Sequence, residues 1–487
     1  MLKIRISSPR LPAQSERSAS RVAIVGGGYT GAILAKLLVE RGLHDMDEVI
    51  VFEPRDCLGC GLAYDVRNVD VRLNVAAHRM RAIPGSPTAF VDWLQTSGTL
   101  TVDPQAVTPE GIFARRRDFG RFMQAQLATH LDSGAIRHLR QAARAIDREN
   151  YQWRITGSGG AVVLADILIL ATGHPPASKP AAINRLDPLT AGRVADVCAP
   201  DAFDRVGKSD PILIVGSGLS ALDALSRLDA LGHDGRITLL SRSGHMPRPH
   251  AGGGFSPFGD FRGAALTSAR KLLAKVRNTI AEAEKQGIPW QSVFDALRQH
   301  AQDLWQGLPM QERQKFLRRL RRWYDVHRYR MPPQAAAALE RGLNMGRVTV
   351  AMGTLTSIVR DGEHLLATIE TRDSERTAFR CRHILLATGP DFRDYAAHQR
   401  FLLAMHREGF IQSDPLGLGL ACDTAGRALT VAGTPNTSLF VAGPPARPAF
   451  GELTGVPEIA AQAGNLADGI IRSCARETRT IVIGPPG

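Results

Sequence analysis

The sequence predicts an α/β chain of two dinucleotide-binding, Rossmann-like units with a helical insertion in the second. Three observations carry this expectation. A strand, glycine turn and helix, RVAIVGGGYTGAILAKLLVERG from Arg21, recurs as DPILIVGSGLSALDALSRLDALG from Asp210. In each copy an apolar run enters a glycine turn and helical periodicity follows, with a further apolar strand beyond, EVIVFE at 48–53 and RITLLSR at 236–242. Each half then closes on an apolar strand ending in Ala-Thr-Gly, ADILILATGH at 165–174 and RHILLATGP at 382–390. Two tandem copies of one plan imply two nucleotide-binding domains.

The first turn, Gly26-x-Gly28-x-x-Gly31, follows a predicted strand and opens a predicted helix, the context that gives the bare pattern meaning. The first glycine permits the tight turn, the second lets the backbone approach a pyrophosphate, and the third lets helix pack on strand. The helix N-terminus then offers unpaired N–H groups to the phosphates, with Tyr29 and Thr30 in its first turn. Glu53 stands 27 residues after Gly26, where a carboxylate accepts from ribose hydroxyls and repels a 2′-phosphate, which fits FAD. The second turn, Gly216-Ser217-Gly218-x-Ser220-Ala221, has Arg242 at the corresponding place, 26 residues on from Gly216. A guanidinium there suits a phosphate, so NADPH is expected ahead of NADH. Thr172 and Gly173, at the end of the first closing strand, are also expected at the cofactor.

These assignments divide the chain into residues 1–205, the first part of an FAD-binding domain, and 206–388, an NAD(P)-binding domain. Residues 389–487 return to the first domain, and their last helix is expected near Pro457 to Arg472. The helical insertion, about 255–345, is rich in Ala, Arg, Leu and Gln and is punctuated at Pro289, Pro309 and Pro332-Pro333, which should mark helix ends. The stretch before it, His245 to Gly254, reads as a loop by composition.

The wider chain excludes several classes. At 487 residues it is long enough for two or three well-packed domains. It has no apolar run of membrane-spanning length. Met1 to Arg21 lacks the apolar region of a secretory signal and reads as a disordered or edge segment, so a cytoplasmic location is expected. Six cysteines in such a chain make no disulfide scaffold, and Cys198, Cys381, Cys422 and Cys474 read as small buried hydrophobes. The formal charge of +13 concentrates between Arg262 and Arg330, where 15 Lys and Arg face 6 Asp and Glu. This is a solvated helical face, or a rim that steers anionic ligands. No nucleic-acid-binding signature accompanies it. His245 and His250, five apart with no cysteine nearby, make a poor metal site, and none is expected.

Further segments carry a resemblance. Gly61-Leu-Ala-Tyr64, Leu73-Asn-Val-Ala-Ala-His-Arg-Met80 and Phe90-Val-Asp-Trp-Leu94 resemble a family of FAD/NAD(P)-binding flavin monooxygenases that includes urate hydroxylase and aspartate N-hydroxylase members. The architecture is similar, more distantly, to ornithine and lysine N-hydroxylases. Phe113-Ala-Arg-Arg116 with Phe119-Gly120-Arg121-Phe122, Trp323 to Arg330, and Leu439 to Gly443 through Glu452 to Ile459 extend the resemblance over most of the chain. Arg115 stands where the family has proline, and Cys60 where it usually has glycine or proline. The resemblance implies that Asn74 approaches the flavin, that the Gly443 region covers the isoalloxazine and ribityl chain, and that Glu452 belongs to the cofactor site. An asparagine in such a loop presents both a donor and an acceptor, although it also suits a plain turn.

The expected enzyme is an FAD-dependent, NAD(P)H-using oxidoreductase that passes hydride to flavin and inserts one oxygen atom of O₂ into a substrate. The expected partners are a small anionic organic substrate and O₂, with neither nucleic acid nor membrane, and with homo-oligomerisation left open. Arg116, His327, Arg328 and Arg330 are candidate anchors beside Asn74, because arginines fit anions and a histidine can move protons near neutral pH. Urate hydroxylation to 5-hydroxyisourate leads among the named activities, and N-hydroxylation of an aspartate-type amino acid follows. Cys57-x-x-Cys60 keeps a dithiol reductase in view, and a flavoprotein without turnover is the non-enzymatic alternative.

Overall fold

A computed structural model describes residues 21–42, 48–64, 71–199, 201–263 and 267–480. The basic N-terminal segment before Arg21 lies outside the described residues. In chain order the first unit runs through β1 (Val22–Val25), α1 (Tyr29–Glu40), β2 (Val49–Phe52), α2 (Arg116–Asp132), β3 (Ile136–Leu139) and β4 (Ile167–Leu170). The second runs through β5 (Val194–Asp196), β6 (Ile212–Val215), α3 (Leu219–Ala230) and β7 (Ile237–Ser241). Helices α4 (Ala269–Lys285), α5 (Trp290–Gln299), α6 (Ala301–Gly307), α7 (Arg321–Arg328) and α8 (Pro333–Asn344) follow. The chain ends through β8 (Val348–Met352), β9 (His383–Leu386), β10 (Arg427–Leu429), β11 (Pro435–Val441) and α9 (Val456–Thr480).

Two sheets form. The first has the order β10-β11-β4-β1-β2-β3, parallel except for β10, and so draws its last two strands from the C-terminal segment. The second is wholly parallel, β5-β9-β6-β7-β8. Strands β1, β2 and β4 are buried on both faces, as parallel strands covered on both sides require. Side chains alternate between the layers: Val22, Ile24, Val49 and Val51 pack towards α1, α2 and α9, while Ala23, Val25, Ile50 and Phe52 pack towards the antiparallel meander 143–165 and residues 392–411.

Two boundaries differ from the sequence-based expectation. Val194–Asp196 pairs with His383–Leu386, so the second sheet begins before residue 206. Helix α8 packs on α3 and leads into β8, so it covers the second sheet, and the added helices end with α7. Its burial of Ala335, Ala338 and Leu339 is the stripe a sheet-covering helix needs. The prolines do mark helix ends: Pro289, Pro309 and Pro332 are the N-cap residues before Trp290, Met310 and Pro333. Among the described residues no helix is long and apolar enough to cross a membrane.

Candidate functional site

The internal repeat extends to single hydrogen bonds. Gly26 N–H donates to Phe52 O (2.9 Å) and Ala171 N–H to Val25 O (2.9 Å); Gly216 N–H donates to Leu240 O (2.8 Å) and Ala387 N–H to Val215 O (2.9 Å). Gly26 has φ +106°, and a Cβ there would lie 2.3 Å from Ala171 O. Gly216 has φ +127°, and its Cβ would lie 2.2 Å from Ala387 O. Both positions exclude a side chain by conformation and by space. A Cβ on Gly31 would lie 1.9 Å from Gly26 O, so helix and turn touch backbone to backbone. Ala221 occupies the equivalent place in the second turn and is fully buried.

Gly28 and Gly218 differ from these. Their φ values are −64° and −80°, ordinary for any residue. A Cβ on Gly28 would meet nothing closer than Gly61 Cα at 3.5 Å, and one on Gly218 nothing within 4 Å. Each is the N-cap of its helix without a side-chain cap, where serine or aspartate would stabilise the helix. The fold therefore gives no reason for glycine at either place, and close approach of a ligand does. Among the described residues no protein acceptor serves the N–H groups of Gly28 and Tyr29 or of Gly218 and Leu219, the donors a helix N-terminus turns towards phosphate.

Glu53 is 3% exposed and already accepts three N–H groups: Gly27 N–H on Oε2 (3.0 Å), and on Oε1 Arg55 N–H (3.1 Å) and its guanidinium (2.9 Å). A carboxylate has about four acceptor positions, so Glu53 takes one more donor as it stands and a second if Arg55 swings away. Arg242 is exposed at the end of β7 and has no ion pair among the described residues. Thr172 shares a hydrogen bond with Tyr395 Oη (2.8 Å), which also donates to Gly173 O (2.8 Å). Gly443 sits at φ +70° against Thr30 and donates its N–H to Gln462 Oε1 (2.8 Å). Ser217 Oγ donates to His245 O (2.7 Å), and Ser220 is half-buried in the first turn of α3.

Several expected anchors have structural partners instead. The Tyr29 hydroxyl donates to Ala82 O (2.6 Å) and its ring packs on Phe119, so only its backbone can serve a cofactor. Arg116 donates to Asp223 Oδ2 (2.5 Å) and so ties α2 to α3 across the two units. Arg328, 7% exposed, bonds Glu452 (2.9 Å) and Glu458 (3.4 Å), while Glu452 also accepts from the Tyr324 hydroxyl. Arg328 and Glu452 thus dock the added helices on the C-terminal segment. Arg330 is buried against Asp295, which also holds Arg79 at 2.6 Å. His327 stacks on Phe294 with ring centroids 5.2 Å apart and donates through Nδ1–H to Trp323 O (2.7 Å).

The side-chain amide of Asn74 has no partner among the described residues, whereas its carbonyl accepts from His250 Nε2 (2.9 Å). Burial, reinforced by Arg330 and Arg79, holds the His250 imidazole down at about 4 against the Asn74 hydrogen bond and Asp295. Below its ordinary pKa of about 6.5 the unfolded chain takes up a proton that folded His250 refuses. Stability from neutral His250 is therefore complete above about 6.5 and is lost as pH falls towards 4. Chemical denaturation across that window should show His250→Gln flattening the acid limb by up to one proton's worth, about 1.4 kcal/mol per pH unit.

The Cys57-x-x-Cys60 loop rests on the first turn. Gly59 N–H donates to Gly27 O (2.8 Å), the two sulfurs lie 3.0 Å apart, and Gln124 Nε2 reaches Cys60 Sγ at 3.0 Å. Between the added helices and the C-terminal segment lies a cavity of about 420 Å³. One wall is the π-helical turn Phe316–Leu320, an arrangement frequent at functional sites. Contacts connect its wall to both glycine turns. Its wall residue Trp323 packs against His245 (centroids 4.1 Å, rings tilted by 48°), whose carbonyl holds Ser217, and its wall residues Arg447, Gly451 and Glu452 follow closely on Gly443, which lies against Thr30.

Residues 23–175 match the family model described as FAD-NAD(P)-binding. No curated protein sequence matches the chain. Among solved structures, an ornithine N-hydroxylase of Kutzneria sp. 744 is 16% identical, with a TM-score of 0.65 over 94% of this chain and 100% of that one. The L-lysine 6-monooxygenase of Pseudomonas syringae is 17% identical, with a TM-score of 0.63 over 93% and 99%. A cadaverine monooxygenase of Erwinia amylovora, bound to FAD, is 15% identical, with a TM-score of 0.62 over 93% and 95%. The fold is that of the ornithine, lysine and cadaverine monooxygenases. Within it, the FAD-NAD(P)-binding match spans the first glycine turn, Glu53, Asn74 and Thr172.

Proposed function

We propose that the protein is an FAD- and NADPH-dependent monooxygenase of the N-hydroxylating type. The observation that carries this reading is the pair of glycine turns with matching hydrogen bonds, each keeping at Gly28 or Gly218 a glycine the fold does not need. In this reading FAD lies on the first turn, within residues 1–205 and 389–487. NADPH lies on the second, within 206–388. Bound flavin supplies hydride acceptance and oxygen activation. The overall reaction is RNH₂ + O₂ + NADPH + H⁺ → RNHOH + H₂O + NADP⁺.

The chain's own residues supply binding and exclusion of water. The N–H groups of Gly28 and Tyr29 take the FAD pyrophosphate, Glu53 a ribose hydroxyl, and the unpartnered Asn74 amide meets the flavin edge. The docked helices roof the cavity and keep water from the reacting atoms. An amine is preferred to urate because the solved structures of this fold named above act on ornithine, lysine and cadaverine. NADPH consumption in air, with peroxide assayed alongside and a panel of amines, amino acids and urate, tests this. A true substrate raises consumption without raising peroxide. Consumption raised by urate alone would contradict the amine assignment.

Arg242 carries the coenzyme preference in this reading. Arg242→Ala should raise KM for NADPH roughly ten- to hundredfold, matching about 1.5–3 kcal/mol for a charge-assisted contact, and leave KM for NADH unchanged. The dithiol reading keeps one observation, the 3.0 Å contact between Cys57 and Cys60 beside the first turn. Thiol titration before and after NADPH addition separates the two. A monooxygenase shows no change in thiol count, whereas two new thiols would favour the reductase.

A further inference from the structure

The cavity does not suit a small anion. Val276, Phe294, Leu304, Trp305, Phe316 and Leu320 are among the residues of a largely apolar wall. Arg277 is exposed on α4, and the other charged residues, Arg321, Asp325, Arg447 and Glu452, gather where the added helices meet residues 447–452. Pairing those charges leaves one over. Glu452 is taken by Arg328 and Tyr324, Glu458 by Arg298 and Arg328, and Asp325 by Arg321 at 3.4 Å. The Arg447 side chain has no hydrogen bond and no ion pair to any described residue. Its guanidinium lies 5.0 Å over the Phe392 ring, and its Nε is buried without an acceptor. Burial is the chief cause lowering the Arg447 pKa, with Tyr329, Asp325 and Glu452 acting against it and Arg321 alongside it. A desolvated guanidinium without a hydrogen-bond acceptor is costly, and an arriving carboxylate offsets that cost with charge-assisted hydrogen bonds. A dianionic head would also face Asp325 and Glu452, so the surplus of one charge fits a monoanion.

We propose that this cavity binds a hydrophobic carboxylic acid, with its apolar body between the helices and its carboxylate on Arg447. Resting on the amine-hydroxylating reading above, the substrate is then an amino acid with a long apolar side chain. The cavity is large enough for such a body, since ligand pockets commonly span about 300–1,000 Å³. Contacts from Trp323 through His245 to Ser217 connect the cavity to the second turn, and in this reading the amine, which neighbours the carboxylate, lies on the side of the dinucleotides.

Calorimetric titration of the FAD-loaded protein with octanoate, octylamine and octan-1-ol tests the binding assignment. Octanoate should bind at least tenfold tighter than either of the others. Arg447→Met should abolish that preference and leave octan-1-ol binding unchanged. Ala301→Phe, which fills the cavity and leaves Arg447 in place, should weaken octanoate at least tenfold, and it keeps the test open if Arg447→Met does not fold. Equal binding of the three compounds, preference for octylamine, or unaltered octanoate binding in Ala301→Phe would overturn the assignment. NADPH consumption with 2-aminooctanoate then separates the two levels. Binding with peroxide as the only product supports the cavity assignment and contradicts amine hydroxylation. Absence of binding overturns the cavity assignment whichever amines the enzyme hydroxylates.

Discussion

Gly28→Ser should give a protein that is as stable as the parent in the absence of cofactor, or slightly more so, and that binds FAD at least about a hundredfold more weakly. The signs are opposite because the two effects have different causes. A serine at the N-cap accepts a hydrogen bond from a first-turn N–H and stabilises the helix by up to a few tenths of a kcal/mol over glycine. A Cβ there meets no protein atom closer than Gly61 Cα at 3.5 Å. The space it fills is the space a pyrophosphate needs to reach the N–H groups of Gly28 and Tyr29. Losing one or two charge-assisted hydrogen bonds there costs about 1.5–3 kcal/mol each. Gly218→Ser should do the same for NADPH and leave FAD in place. Melting curves with and without each cofactor, together with binding titrations, check both. Gly26→Ala is the instructive contrast: its methyl would lie 2.3 Å from Ala171 O at φ +106°, so the fold itself suffers and the ligand is not interrogated.

Arg328→Met should destabilise the docking of the added helices by about 3–5 kcal/mol, the range for breaking one side of a buried ion pair. Arg328 is 7% exposed and joins Glu452 to Glu458, and its guanidinium pKa is driven up by those two carboxylates against the pull of burial. Removing it leaves Glu452 buried with the Tyr324 hydroxyl as its remaining partner, while Arg298 still holds Glu458. Arg328→Lys should restore little, because a single ammonium cannot reproduce two directed N–H donors. Limited proteolysis should cut the variant within residues 269–328 while FAD stays bound, and kcat/KM should fall as water enters the cavity. An unchanged cleavage pattern would show that the apolar contacts dock these helices without Arg328.

The fold was legible because its signals are local. Val22–Val25 followed by Gly26, and Ile212–Val215 followed by Gly216, place an apolar strand, a turn and a helix within a dozen residues of sequence. Their hydrogen bonds repeat as the sequence repeats. The return of the C-terminal segment to the first sheet was legible too, since Leu439–Val441 pairs with Leu168–Leu170. The edges were less so, because Val194–Asp196 is a short strand whose partner, His383–Leu386, lies far along the chain.

Side-chain roles were harder to read, for the same physical reason. Arginines in these motifs look available for ligands, yet Arg116 finds Asp223, Arg328 finds Glu452, and Arg330 finds Asp295, each far along the sequence. Arg447, which no motif marks, is left without a carboxylate and with its Nε buried. His250 reads as a loop residue until the fold lays it on Asn74 O, and the basic helices read as a solvated face until they enclose an apolar cavity. Charge complementarity across a fold depends on positions that the sequence orders only through its folding.

The central claim is that the first turn holds flavin and the second delivers hydride to it. Anaerobic absorption spectroscopy of the protein loaded with FAD measures this directly. A bound oxidised-flavin band should appear and bleach on adding NADPH, with Gly218→Ser retaining the band but bleaching far more slowly. Protein that stays colourless after soaking in excess FAD, or a flavin band that NADPH leaves untouched, would contradict it.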